Sequence, residues 1–120
     1  MPLDDAIARA KWLFAELGDV RHRKMFGGAG LYADDLMFAL IAGDEIYLKV
    51  DGAVIDAFRA AGSHPFTYQG KGKPMEMSYW LLPDDAGADP AAAAPWATRS
   101  LAAAKRQAKP RRRAKRDRTA

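Results

Sequence analysis

The chain has 120 residues, 49% of them apolar, which is enough for one domain and short for two. It has no cysteine, which excludes a disulfide framework, a thiol nucleophile and a cysteine-ligated metal. Its net charge of +4 is split: residues 105–120 carry nine Lys/Arg against one Asp, a net of +8, and residues 1–104 therefore carry −4. The N-terminal stretch lacks a basic segment followed by an apolar one, and no run approaches the ~18 apolar residues of a membrane helix. The expected setting is soluble and cytoplasmic, with no membrane contact.

In chain order, Leu3, Ile7, Ala10, Phe14 and Leu17 recur at spacings of four and three and predict a helix. Asp4 and Asp5 suit its N-terminal end and Gly18 its stop. Residues 21–26 alternate weakly and read as a first strand. Gly27, Gly28, Ala29 and Gly30 follow, but they lead into the strand-like Leu31 and Tyr32 and complete no phosphate-loop pattern, so a glycine bulge or tight hairpin is the reading and nucleotide binding is rejected. Asp34 and Asp35 mark a turn. Residues 36–42 are apolar on both faces, as in the middle of a sheet, and Ile46, Leu48 and Val50 then alternate with Tyr47 and Lys49.

Asp51 suits the start of a second helix carrying Val54, Ile55, Phe58 and Ala61 and closed by Gly62. Residues 66–68 and 75–82 read as two further strands around a Gly- and Lys-rich loop. Asp89 and Pro90 fit an N-cap and first-turn pair, with Pro95 the alternative start of the last helix. That helix carries Ala97, Leu101, Ala104 and Ala108 as a narrow stripe and Trp96 as its one large anchor. Past about Lys109 the sequence holds no apolar residue larger than alanine, and a disordered basic tail is expected. The fold class is therefore α+β: a single domain over 1–104, helices packed on a mostly antiparallel sheet of about five strands, in the order α-β-β-β-α-β-β-α.

No enzyme signature emerges. His22 and His64 have no carboxylate or nucleophile at a recognisable spacing, and the pairs Asp34/Asp35, Asp44/Glu45 and Asp84/Asp85 fall at turns as solvated turn formers. Ser63 and Ser78 have no elbow motif around them. No catalytic residue, cofactor or metal is expected. The stripe of Phe66, Tyr68, Met75, Met77 and Tyr79, with Trp80 opposite, reads first as the core face of the sheet beneath a helix. The functional alternative is a face that stacks bases or holds a partner. Arg23, Lys24, Lys71, Lys73 and Trp80 are the candidate partner-binding residues, the four basic ones forming a patch if the first strand and the last hairpin lie close. The tail residues Lys105, Arg106, Lys109, Arg111, Arg112, Arg113, Lys115, Arg116 and Arg118 are the candidates for nucleic acid, with salt-sensitive and largely non-specific attraction.

Three blocks, RKMFGGAGLY, DLMFALIAGDEIYLKVD and FRAAGSHPFTYQGKGKPMEMSYWLLPDD, resemble in order the N-terminal domain of the TfoX (Sxy) competence-regulator family, over about residues 17–85. The resemblance implies an α+β fold of the secretion-chaperone-like type. It also implies a regulatory, non-enzymatic role without cofactor, the named members being co-activators that work with the cyclic-AMP receptor protein. Those regulators carry a second, helical domain, so the resemblance implies a stand-alone N-terminal domain here. The leading expectation is a binding domain that contacts a protein partner in transcription regulation. The alternative is a direct, largely sequence-non-specific nucleic-acid binder acting through the tail. Homodimerisation through an exposed strand or Trp80 stays open.

Overall fold

A computed structural model describes residues 2–25, 27–69 and 74–119, with side chains described for these except 68–69, 74–77 and 109–119. The elements are α1 (Leu3–Leu13), β1 (Arg21–Met25), β2 (Gly28–Ala33), β3 (Leu36–Ala42), β4 (Glu45–Lys49), α2 (Ile55–Ala60), β5 (Pro65–Gln69), β6 (Pro74–Leu81) and α3 (Pro90–Thr119). Short 3-10 turns at Ala15–Leu17 and Asp84–Gly87 complete them. The six strands form one antiparallel sheet in the order β1-β2-β3-β4-β6-β5. The α+β class is as expected. The sheet has six strands against about five expected, and four of them, β1 to β4, precede α2 where three were expected.

Turn chemistry sets the register of this meander. Asp34 and Asp35 both adopt left-handed backbone (φ 52° and 63°) between the paired Ala33 and Leu36, the geometry of a two-residue hairpin that follows the twist of the strands. Gly43 (φ 61°) opens the next hairpin. Between β2 and β3 the register slips at Phe38: Leu31 faces Ala39 while Tyr32 faces Met37. This bulge lets Phe38 and Ala39, neighbours in sequence, both be buried.

All three helices share one face. Ile7, Ala10, Leu13 and Phe14 from α1 and its end meet Leu31, Phe38, Ile41, Ile46 and Leu48 in one buried cluster. Phe14 stands edge-on to Phe38 at 5.4 Å between centroids. The helix α3 crosses β3 and β4 with Ala93, Ala97, Leu101 and Ala104 buried beneath it, small side chains that let helix and sheet approach closely. Trp96, the expected anchor, is half-buried and meets Phe58 of α2 edge-on at 4.9 Å. Each fully buried Leu, Ile or Phe stabilises this core by roughly 1.5–3 kcal/mol.

Capping follows the sequence with one shift. The Asp89 carboxylate accepts the Ala92 N–H at 2.8 Å, so α3 starts at Pro90 and carries Pro95 within it. The Asp51 side chain accepts the Ala53 N–H at 3.0 Å, holding the turn before α2 rather than the helix itself, which begins at Ile55. The expectation of a disordered tail past about Lys109 falls on residues whose side chains lie outside the description.

Candidate functional site

Period-2 alternation leaves the sheet a second face, opposite the helices. One cross-strand row on it runs Arg23, Gly30, Leu40, Tyr47 and Leu81 from β1 to β6. Beside it, all on one side, runs a second row of Arg21, Tyr32, Met37, Lys49 and Tyr79. The Phe66 ring joins them 5.0 Å from that of Tyr47. Tyr32, Met37, Leu40, Tyr47, Phe66, Tyr79 and Leu81 are all half-buried, and none belongs to the buried core cluster.

Small residues keep this face flat. A side chain at Gly28 would run into the Ile41 carbonyl, and one at Gly30 would meet Met25 Cε at 2.9 Å and Met37 Sδ at 3.0 Å. The glycine cluster thus sets strand approach and leaves room for two methionines. Gly27, with φ +76°, forms the turn between β1 and β2.

The face holds one buried cation. Lys49 is 8% exposed; its Nζ donates to Ser78 Oγ at 2.8 Å and sits 5.2 Å from the centre of the Tyr79 ring. Burial pulls its pKa below the usual lysine value, against the opposing pull of the Asp51 charge. Burial also pushes the Tyr79 phenol up to about 12, with the Tyr32 charge adding to it, and the hydroxyl donates a long bond to the Met37 carbonyl at 3.4 Å. The middle of α3 reaches the rim of the face. There Ala104, Gln107 and Ala108 stand with Leu36, Met37 and Tyr79 around a depression of about 250 Å³. A second depression of about 190 Å³ is lined by Leu17, Asp19, Arg21, Tyr32, Asp34 and Asp35. Both are smaller than the roughly 300–1,000 Å³ of small-molecule sites. Among the described residues, no group of three or more His, Asp or Glu side chains is placed to hold a metal. Among the described residues, this face presents polarisable rings and a thioether around the Lys49 cation.

The sequence-predicted residues fall in different places. Arg23 lies at the margin of this face, whereas Lys24 points to the helix side and pairs with Asp4 at 2.8 Å. Trp80, a candidate for partner binding, is 9% exposed in the core; it pairs with Leu48, and the Arg59 guanidinium stands 5.7 Å from its ring centre. The reading of Tyr79 as core is therefore inverted: Trp80 and Leu82 face the helices, while Tyr79 and Leu81 face away. Two alternating apolar sets look alike in sequence, and only the register against β4 decides between them. The side chains of Tyr68, Met75 and Met77 lie outside the description, as do Lys71 and Lys73. The condition for a shared basic patch is not met, because β1 and β5 are opposite edges of the sheet. In the tail, Lys105 pairs with Asp34 at 3.2 Å and Arg106 with Asp51 at 2.7 Å. The side chains of Lys109, Arg111, Arg112, Arg113, Lys115, Arg116 and Arg118 lie outside the description. Tyr32, Met37 and Leu40, half-buried on this face, were not singled out as site residues; the signal for Met37 and Leu40 was the run 36–42, apolar on both faces.

Comparison with known proteins fits this architecture. The chain is 32% identical over 65 residues to the DNA transformation protein TfoX1 of Aliivibrio fischeri (strain ATCC 700601 / ES114), covering 54% of this chain and 31% of that one. It is 28% identical over 79 residues to Protein Sxy of Escherichia coli (strain K12), covering 63% of this chain and 36% of that one. The chain thus spans about a third of the length of the curated relatives it matches. The family described as TfoX N-terminal domain matches residues 12–104, nearly the whole sheet-and-helix body, and the chain belongs to that family.

Proposed function

We propose that this chain is a non-enzymatic regulatory domain that acts in transcription regulation, in the cytoplasm, by holding a protein partner against the second face of its sheet. The observation that carries this reading is the half-buried row Leu40, Tyr47 and Leu81 with Phe66, Met37 and Tyr79 around it. A contiguous apolar surface rich in Tyr, Phe and Met is the composition of an interface core. Family membership and the name of the relative from Aliivibrio fischeri support a role in DNA transformation or its control.

Direct nucleic-acid binding through residues 105–120 is the second reading. Its support is the charge of that segment; against it, Lys105 and Arg106 already pair with carboxylates of the domain. One set of proteins separates the two: the full chain, a truncation ending at Ala108, and Leu40→Glu and Leu81→Glu variants. The truncation point keeps both ion pairs. Chemical cross-linking in the host, with mass spectrometry of the captured proteins, and anisotropy with duplex DNA are run on each. The partner reading expects capture of one protein that survives truncation and is lost in both face variants, each folded by circular dichroism. Capture unchanged by the face variants, or DNA binding that truncation abolishes as the sole interaction, overturns it.

A further inference from the structure

We propose that β1 is a docking edge for an acidic, extended segment of a partner protein, which adds to the sheet as a seventh strand. The inference goes beyond the face reading above, because it uses the backbone edge and not the apolar surface.

β1 ends the sheet, so alternate residues along it direct their N–H and C=O groups outward, where another chain can pair with them. Its side chains are Arg21, His22, Arg23 and Lys24, all exposed, followed by Met25. This is a concentration of positive charge in a body, residues 1–104, whose net charge is −4. The pleat distributes it on both sides of the strand. Arg21 and Arg23 share the face of Tyr32 and Gly30, while His22 and Lys24 share the helix side, where Lys24 pairs with Asp4. An incoming strand therefore meets cations whichever way its side chains alternate, and a segment acidic at successive positions satisfies both sets.

The charge is available to a partner. The Arg21–Asp19 and Lys24–Asp4 pairs have side chains more than half exposed and are of the weak, exchangeable kind. Arg23 makes no ion pair among the described residues. Pairing of β1 with a second copy of itself would set Arg21, Arg23 and Lys24 against the same residues, and like charges across a strand pair are unfavourable. The opposite edge, β5, has no charged residue and begins with Pro65, which has no N–H to donate. The charge pattern thus selects an acidic partner and this edge.

The test uses the full chain and three labelled, end-blocked octapeptides: alternating Glu and Val, alternating Lys and Val, and the Glu form N-methylated at alternate residues. Anisotropy measures binding, and amide hydrogen exchange by NMR locates it. The Glu peptide is expected to bind at least about tenfold tighter than the Lys peptide, and weaker as salt rises. It should slow exchange of the outward amides of β1, and the N-methylated peptide, with its charge intact but its donors removed, should lose that binding. Arg23→Glu should weaken the Glu peptide by about tenfold. Equal binding of the N-methylated peptide would mean charge attraction alone, by the tail or elsewhere, and overturns strand addition. No binding, no protection in β1, or a concentration-dependent dimer protecting β1 without peptide overturns it equally.

Discussion

Arg106 grips both oxygens of Asp51, Nε to Oδ2 at 2.7 Å and Nη2 to Oδ1 at 3.0 Å, and so ties α3 to the turn that leaves β4. The same carboxylate accepts the Ala53 N–H, and the Arg106 bond above all holds its pKa below the usual aspartate range. Arg106→Ala should cost about 0.5–1 kcal/mol, the pair being partly exposed. Asp51→Ala should cost about 1–2 kcal/mol because the turn loses its acceptor as well. The folded-state pKa is lowered, so this stabilisation is present above the ordinary aspartate value of about 4 and fades as pH falls through the folded value. Urea unfolding at neutral and acid pH measures it: wild type and Arg106→Ala should differ at neutral pH and converge in acid.

Tyr79 reports on the opposite end of the pH scale. Burial raises its phenol from 10.0 to about 12, so the neutral form stabilises the fold fully below the ordinary value, and the contribution is lost as pH rises toward the folded one. Phenolate absorbance should show a late-ionising component that Tyr79→Phe removes, beside that of Tyr47, whose phenol burial and the Glu45 charge also raise. The same variant should flatten the alkaline loss of stability while costing at most about 1 kcal/mol at neutral pH.

Gly28 and Gly30 look interchangeable in sequence and should not behave so. A methyl at Gly28 strikes the Ile41 backbone carbonyl, which cannot move without breaking the β2–β3 ladder, and Gly28→Ala should cost about 3 kcal/mol. At Gly30 the obstacles are the flexible ends of Met25 and Met37, and Gly30→Ala should stay within about 1 kcal/mol. Paired thermal unfolding curves separate the two.

The tryptophans divide the same way. Trp80→Ala empties a buried site beside Leu48 and should cost about 3–5 kcal/mol. Trp12, 52% exposed on α1, should change stability by no more than about 0.5 kcal/mol when replaced by Ala. Denaturant midpoints for the two variants decide it. A large loss for Trp12 and a small one for Trp80 would reverse the assignment of core and surface.

Local rules were enough for much of this protein. Ile7, Ala10 and Phe14 at helical spacing, Ile46, Leu48 and Val50 at strand spacing, left-handed Asp34 and Asp35, and Asp89 before Pro90 each encode their structure within a few residues. Those elements lie in the structure where the pattern put them. The α+β class followed from their order. Faces and neighbours did not follow, because they are set by pairing between distant segments. Which of Tyr79 and Trp80 meets the helices depends on the alignment of β6 with Lys49 and Leu48 of β4, and a one-residue slip would exchange them. The distance between Arg23 and the β5–β6 hairpin depends on strand order, which puts β1 and β5 at opposite edges. The engagement of Lys105 and Arg106 depends on where α3 ends its crossing, beside Asp34 and Asp51. Period and charge are properties of a sequence; burial and partnership belong to surfaces that exist only once distant strands have paired.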